Sequence, residues 1–187
     1  FPAGALVTVR QVHGNRVHLV ARDGHPGEGD ALVSARPGLL LGVLVADCAP
    51  VVLAGRAGGA VAVCHAGWRG LVAGVVEATV DALARHVPSR EVLAWVGPCI
   101  GPGEFEIGSD VAARLDPAHV DHRGDRERPR FDLPGAIASR LVAAGLAAEH
   151  VETAGISTPS DPRTFSHRRD GPTTGRMLAF VGMRDRG

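Results

Sequence analysis

The run AVAVCHAGWRG, residues 60–70, constrains this chain more than any other stretch. Its apolar, β-branched first half reads as a buried strand. That strand ends in Cys64 and His65, and a turn of small residues follows at once, carrying Trp68 and Arg69. Beyond it, Val72, Val75, Val76, Thr79, Val80 and Leu83 recur at helical spacing, which predicts one amphipathic helix to about His86. The remaining order is of the same kind, with strands outnumbering helices and the helices standing singly between them. A layered α/β sandwich with a mixed β-sheet follows, as one domain over residues 1–187.

The other elements are read from turn and cap residues. Strands are predicted at 5–10 and 16–20, split by QVHGN, and at ALVS after the loop PGEGD (26–30). The apolar run 39–47 is a strand that stops at Asp47-Cys48, because Pro50 should not remain in a central ladder. VVLAG, the turn RAGG and AVAVCH form a hairpin. EVLAWVG is a buried strand, and Ser109 caps a helix reaching Leu115. Residues 117–130, polar and rich in turn formers, read as a mobile loop. Asp132 caps a helix with Pro134 near its start and Gly145 past its core. HVETAGIS is a strand, residues 157–175 a long loop, and RMLAFVGM a closing strand.

Composition narrows the partners. Twenty basic residues balance twenty acidic ones, so no basic block marks a nucleic-acid or membrane surface. Every basic residue is Arg, which removes lysine Schiff-base and P-loop-lysine chemistry. Three cysteines in no CxxC arrangement suit reduced thiols in the cytoplasm better than a disulfide framework. The longest apolar run is broken by Gly42, Asp47 and Pro50 and cannot span a bilayer. The chain opens on Phe1, so a missing N-terminal piece is expected.

Three dispersed residues carry the chemistry. Cys48 and His65 end two strands, and His13 sits in a tight turn between two others. Together they make a ligand set suited to a tetrahedral zinc with one open position. Zinc can lower the pKa of a water in that position from 15.7 to about 7. Against this stands the ordinary fate of each residue: a buried small hydrophobe for Cys48, surface for His13, a strand-end polar group for His65. No spacing here is as diagnostic as HExxH.

RQVHGNRV, GDALVS, VADCAPVVL, AVCHAGWRG, WVGPCIGPGEFEIG and FSHRRDGPTTGRM resemble, in that order, the motifs of the YfiH-like family. That family is known as multicopper polyphenol oxidase or laccase-domain protein, and as purine nucleoside phosphorylase. The resemblance spans essentially the whole chain. It implies a cytoplasmic α/β/α enzyme related to the catalytic domain of cytotoxic necrotizing toxins. It also implies a zinc held by His13, Cys48 and His65, with copper a possible occupant. The implied reactions are phosphorolysis of adenosine, inosine, guanosine and methylthioadenosine, and deamination of adenosine. Two departures show: roughly fifty N-terminal residues of the family, including an arginine, are absent, and Ser157-Thr158 stands where the family often has Cys-Thr.

Phosphorolysis needs an anion site. Arg69, just before a helix start, is one phosphate-binding candidate; Arg168 with Arg169 in SHRRD is a second clamp. Asp47 could orient a ligand from behind. Cys64 points away from His65 and reads as core, as does Cys99. Deamination needs a proton shuttle, yet no glutamate stands beside a ligand in an HxE pattern. Purine nucleoside and phosphate are the expected partners of a monomer or homodimer. The rivals are a metal-free Cys–His hydrolase of an amide or cell-wall precursor, with Cys48 as nucleophile, and a copper oxidase. Nine histidines with no HxH pair count against the latter.

Overall fold

The structure, a computed structural model, describes residues 6–123 and 128–184. Its strands are β1 (Leu6–Val7), β2 (Val17–Leu19), β3 (Ala31–Ser34), β4 (Leu40–Val45), β5 (Ala49–Gly55), β6 (Val61–Ala66), β7 (Val92–Val96), β8 (Val120–Asp121), β9 (Arg130–Phe131), β10 (Val151–Thr153) and β11 (Met177–Gly182). The helices are α1 (Trp68–Ala73), α2 (Val75–Ala84), α3 (Ser109–Ala112), α4 (Leu133–Ala143) and α5 (His167–Asp170).

A six-stranded mixed sheet, ordered β10-β7-β5-β6-β3-β2, forms the middle layer. Alternation along its strands feeds two apolar cores. Ala62, Cys64 and Ala66 of β6, with Ala31 and Val33 of β3, face a cluster completed by Leu71, Val75, Leu83, Ile137 and Leu141 of α1, α2 and α4. Val61, Val63 and Leu32 face the other way, onto Val7, Leu41, Val43 and Val45. Each fully buried Leu or Val in either cluster contributes about 1.5–3 kcal/mol of transfer free energy.

The mixed α/β reading therefore stands, but the expected α/β/α layering does not. The second face of the central sheet is covered by a three-stranded sheet, β1-β4-β11, in place of helices. Its inward residues are β-branched and apolar, while Leu6, Leu44, Leu178 and Phe180 on its outer face are exposed.

Local departures have identifiable causes. Pro50 lies inside β5, opposite His65, where the sequence pattern excludes it. Its carbonyl accepts from Gly97 N at 2.8 Å on the β7 side, so the missing N–H falls past the end of β7's ladder. The single helix expected to His86 is two: Gly74, at φ 87, closes α1 by donating to Gly70 and Leu71 carbonyls and then starts α2. Ser109 is the first residue of α3, whose cap is Gly108. Within 117–130, read as one mobile loop, β8 and β9 pair as a hairpin, and residues 124–127 lie outside the described set. Residues 157–175 hold the short helix α5. Among the described residues no helix is long and apolar enough to cross a membrane.

The reading of α4 holds. The Asp132 side chain accepts from Gly135 N at 3.0 Å, with Pro134 in the first turn. Asp132→Ala should lower stability by about 1 kcal/mol. The check is urea unfolding, with the midpoint falling and the slope unchanged.

Candidate metal centre

Strand register brings two of the three dispersed residues together. Pairing of Pro50 with His65 sets Cys48, just upstream of β5, beside the end of β6. Gly67 makes the approach possible, since a Cβ there would stand 2.6 Å from Cys48 Sγ. Both the residue before Cys48 and the third candidate donor adopt the left-handed backbone region that non-glycine residues rarely occupy: Asp47 at φ 80 and His13 at φ 59. Such strain persists where surrounding contacts enforce it, and it clusters at functional sites.

The enforcing contact for His13 is Asp30. Its buried carboxylate accepts the backbone N–H groups of Val12 (3.2 Å), His13 (2.9 Å) and Gly14 (2.8 Å). Oδ1 also meets His65 Nδ1 at 2.8 Å. One side chain thus shapes the QVHG turn and orients the second imidazole, leaving Nε2 of His65 for the cavity. Burial would raise the Asp30 pKa, but His65 and the Gly14 and Val12 amides hold it below the ordinary value.

As a result, donor atoms of His13, Cys48 and His65 lie within 4.8 Å of one another. The two rings stand edge to face, centroids 4.8 Å apart. His65 is buried, Cys48 half-buried and His13 exposed, so the group opens to one side. Two imidazoles and a thiol form a borderline-soft set that fits a divalent zinc or copper ion. Among the described residues it is the one cluster of three such donors. Burial would raise the pKa of the Cys48 thiol, but hydrogen bonds with His13 and His65 bring it down to about 7. His65 moves the other way, to about 9; burial works against this, while Asp30 and Cys48 favour the charged ring.

The group forms one end of a cavity of about 620 Å³. Its lining includes the apolar Ile100, Phe105 and Leu133 and the cationic Arg69, Arg168 and Arg176. Arg69 lies over the Trp68 ring, 4.3 Å from its centroid. Arg168 lines the cavity too, but its guanidinium donates to the carbonyls of Glu104 (2.9 Å) and Glu106 (3.0 Å). Arg169, its expected partner in a clamp, is tied to Asp170 and to the carbonyls of Thr158, Asp161 and Thr164.

The expected orienting contact from Asp47 to Cys48 is not among its hydrogen bonds, which go elsewhere. Asp47 accepts from Thr158 Oγ1 (2.5 Å) and Arg168 N (2.6 Å), pinning the 157–168 segment against the residue preceding Cys48. Ser157 bonds Glu104 and accepts from Gly101 N, so both residues of the Ser-Thr pair brace this wall. Cys64 and Cys99 are buried, their thiols pushed up by burial to about 12, as core cysteines should be. Asp30, Thr158 and Arg176 were missed as site residues in the sequence. For Asp30 a signal existed, an acid directly ahead of the apolar strand ALVS.

Asp30→Asn places an amide group among four donors. Metal affinity should fall about 10- to 100-fold by chelator competition, and stability by about 1–3 kcal/mol. In metal-free protein, iodoacetamide should label Cys48 with half-maximal rate near pH 7, not near the ordinary 9.0, since thiolate accumulates above the lowered pKa. Added zinc should suppress that labelling, and mass spectrometry should find Cys64 and Cys99 unmodified.

The sequence matches, over residues 1–184, the family described as multi-copper polyphenol oxidoreductase laccase. It is 40% identical over 181 residues to a purine nucleoside phosphorylase of Pseudomonas aeruginosa, covering 94% of this chain and 73% of that one. It is 39% identical over 194 residues to the purine nucleoside phosphorylase YfiH of Escherichia coli, covering 97% and 76%. Among solved structures, YlmD from Geobacillus stearothermophilus superposes with TM-score 0.92 at 31% identity, over 99% of this chain and 76% of that one. The hypothetical protein YfiH of Bacillus licheniformis does so with TM-score 0.92 at 27% identity, over 97% and 75%.

Proposed function

This chain belongs to that laccase-like family, and within it we propose a zinc-dependent purine nucleoside phosphorylase. Its substrates are adenosine, inosine, guanosine or methylthioadenosine with phosphate, and its products are the base and pentose 1-phosphate. The observation that carries the proposal is the convergence of His13, Cys48 and His65 on a cavity lined by both apolar and cationic side chains. A nucleoside offers a flat apolar base and phosphate offers charge, so the two kinds of lining match the two reactants. Relatives named purine nucleoside phosphorylase support the same reading.

In phosphorolysis a phosphate oxygen bonds to C1′ while the bond from C1′ to the base nitrogen breaks, the electron pair leaving with the base. His13, Cys48 and His65 would hold a zinc ion, which would supply a Lewis acid to the reaction. The protein's own share is positional. Asp30 holds His65 and the His13 turn, the arginines offset phosphate charge, and Ile100, Phe105 and Leu133 exclude water from the base. Adenosine deamination at the same site belongs to this reading as a side reaction. It needs a proton carrier, and Asp47, the carboxylate on the cavity wall, is already engaged by Thr158 and Arg168. Three free cysteines support a reducing, cytoplasmic setting.

A second reading has one observation in its favour. Cys48, His65 and Asp30 form a hydrogen-bonded series with the thiol pKa near 7, as a metal-free Cys–His hydrolase related to the necrotizing toxins would require. A multicopper oxidase has less support, because its several coppers need more donors than this one group of three among the described residues provides.

Adenosine incubated with the zinc-loaded protein should yield adenine and ribose 1-phosphate when phosphate is present and neither when it is omitted. Cys48→Ala should lose both stoichiometric metal and turnover. Inosine as the sole product, or turnover that survives chelation, would overturn the phosphorylase reading.

A further inference from the structure

We propose that Arg69 and Arg176 together form the subsite for inorganic phosphate, with Arg176 in the role expected of Arg168 from the sequence. The choice of phosphate as the anion rests on the phosphorylase reading; the pairing of these two cations rests on the geometry.

The two arginines reach the cavity that Cys48 lines from independent segments. Antiparallel pairing of Met177 with Val45 continues β11 back toward Arg176, beside Ala46 and two residues from the thiol. Arg69 lies two residues beyond Gly67, the residue packed against Cys48 Sγ. Both line the metal-centre cavity. Arg69 is fixed by its stack on Trp68, which leaves its N–H fork open to a ligand. Arg176 donates from Nη1 to the carbonyls of Thr174 and Gly175, which anchors one arm and leaves the rest of the guanidinium to the cavity. Among the described residues no carboxylate pairs with either one, whereas Arg140, Arg163 and Arg169 are each paired. Arg168 differs because both its terminal nitrogens serve backbone carbonyls, which makes it a brace for the 104–106 wall. A tetrahedral oxyanion between two guanidinium forks gains charge-assisted, bidentate hydrogen bonds, beside the metal donors where the attacking oxygen is needed.

The test is equilibrium dialysis of labelled inorganic phosphate against zinc-loaded protein, with adenosine 5′-monophosphate as a second probe. The proteins are wild type, Arg69→Gln, Arg176→Gln, Arg168→Gln and, as a remote control, Arg56→Gln. Arg69→Lys and Arg176→Lys keep the charge without the fork. Cobalt-substituted absorption reports whether the donor set is intact in each. Phosphate affinity should fall about 10- to 100-fold in each Gln variant of the pair, less in the Lys variants, and not at all in Arg56→Gln. Wild-type phosphate affinity in Arg176→Gln with an unchanged cobalt spectrum would overturn the proposal. So would a loss confined to the nucleotide probe, which would assign the arginines to a substrate-borne phosphate. If the variants bind phosphate weakly and the wild type still fails to phosphorolyse adenosine, the subsite stands and the phosphorylase reading falls. If Arg69→Gln and Arg176→Gln phosphorolyse adenosine with unaltered KM for phosphate, the phosphorylase reading stands and the subsite falls.

Discussion

The carboxylate of Asp30 is the contact on which the site depends. It is wholly buried, yet it stays ionised because three backbone amides and the His65 ring offset its desolvation. Those four partners come from two places far apart in sequence, the 12–14 turn and the end of β6. An apolar residue at position 30 would orphan all of them. The left-handed conformation of His13 would then have nothing to hold it. Two of the three donors therefore owe their placement to a residue that touches no substrate. Next to the third, Cys48, Asp47 ties the chain to Thr158 and Arg168.

This arrangement also gives the two faces of the central sheet different roles. The helical side supplies most of the buried apolar volume, including α2 and α4. The site forms at the strand ends, where β5 and β6 emerge and where the small sheet's β4 and β11 come alongside. The cavity thus draws on both layers: Leu133 from α4, Arg176 from the entry to β11, and Gln11 and Leu44, whose mutual hydrogen bonds join the turn to β4.

Residues with a strong local period were legible in the sequence. The β5–β6 hairpin and the buried stripe of α2 follow from alternation and helical spacing, and the Asp132 cap follows from its neighbours. What escaped was set by partners distant along the chain. Pro50 is acceptable in β5 because β7 ends where its N–H would point, which no local rule conveys. The helix broke at Gly74 because its left-handed geometry outweighed the continuing apolar pattern. The three-stranded sheet replaced a helical layer because β1, β4 and β11, remote in sequence, bury their faces on Val61 and Val63. At the site, Cys48 and His65 were visible as residue types at strand ends and His13 as one in a turn, and family motifs joined them. For Asp30 the place directly ahead of ALVS was the one cue, and it is easily passed over because an acid after Gly29 in a loop looks solvated until the fold encloses it. Arg168 and Arg169 looked like a free pair until carbonyls and Asp170 were found occupying them.

Gly67 has a consequence for traffic through the site. With no room for even a methyl group between its backbone and Cys48 Sγ, that flank of the sulfur is walled off by main chain. The cavity mouth is then the door for an incoming ion, an oxidant or an electrophile. Whatever fills the cavity shields the Cys48 sulfur from such reagents, so an occupied site is sheltered from reactions that an open one would undergo.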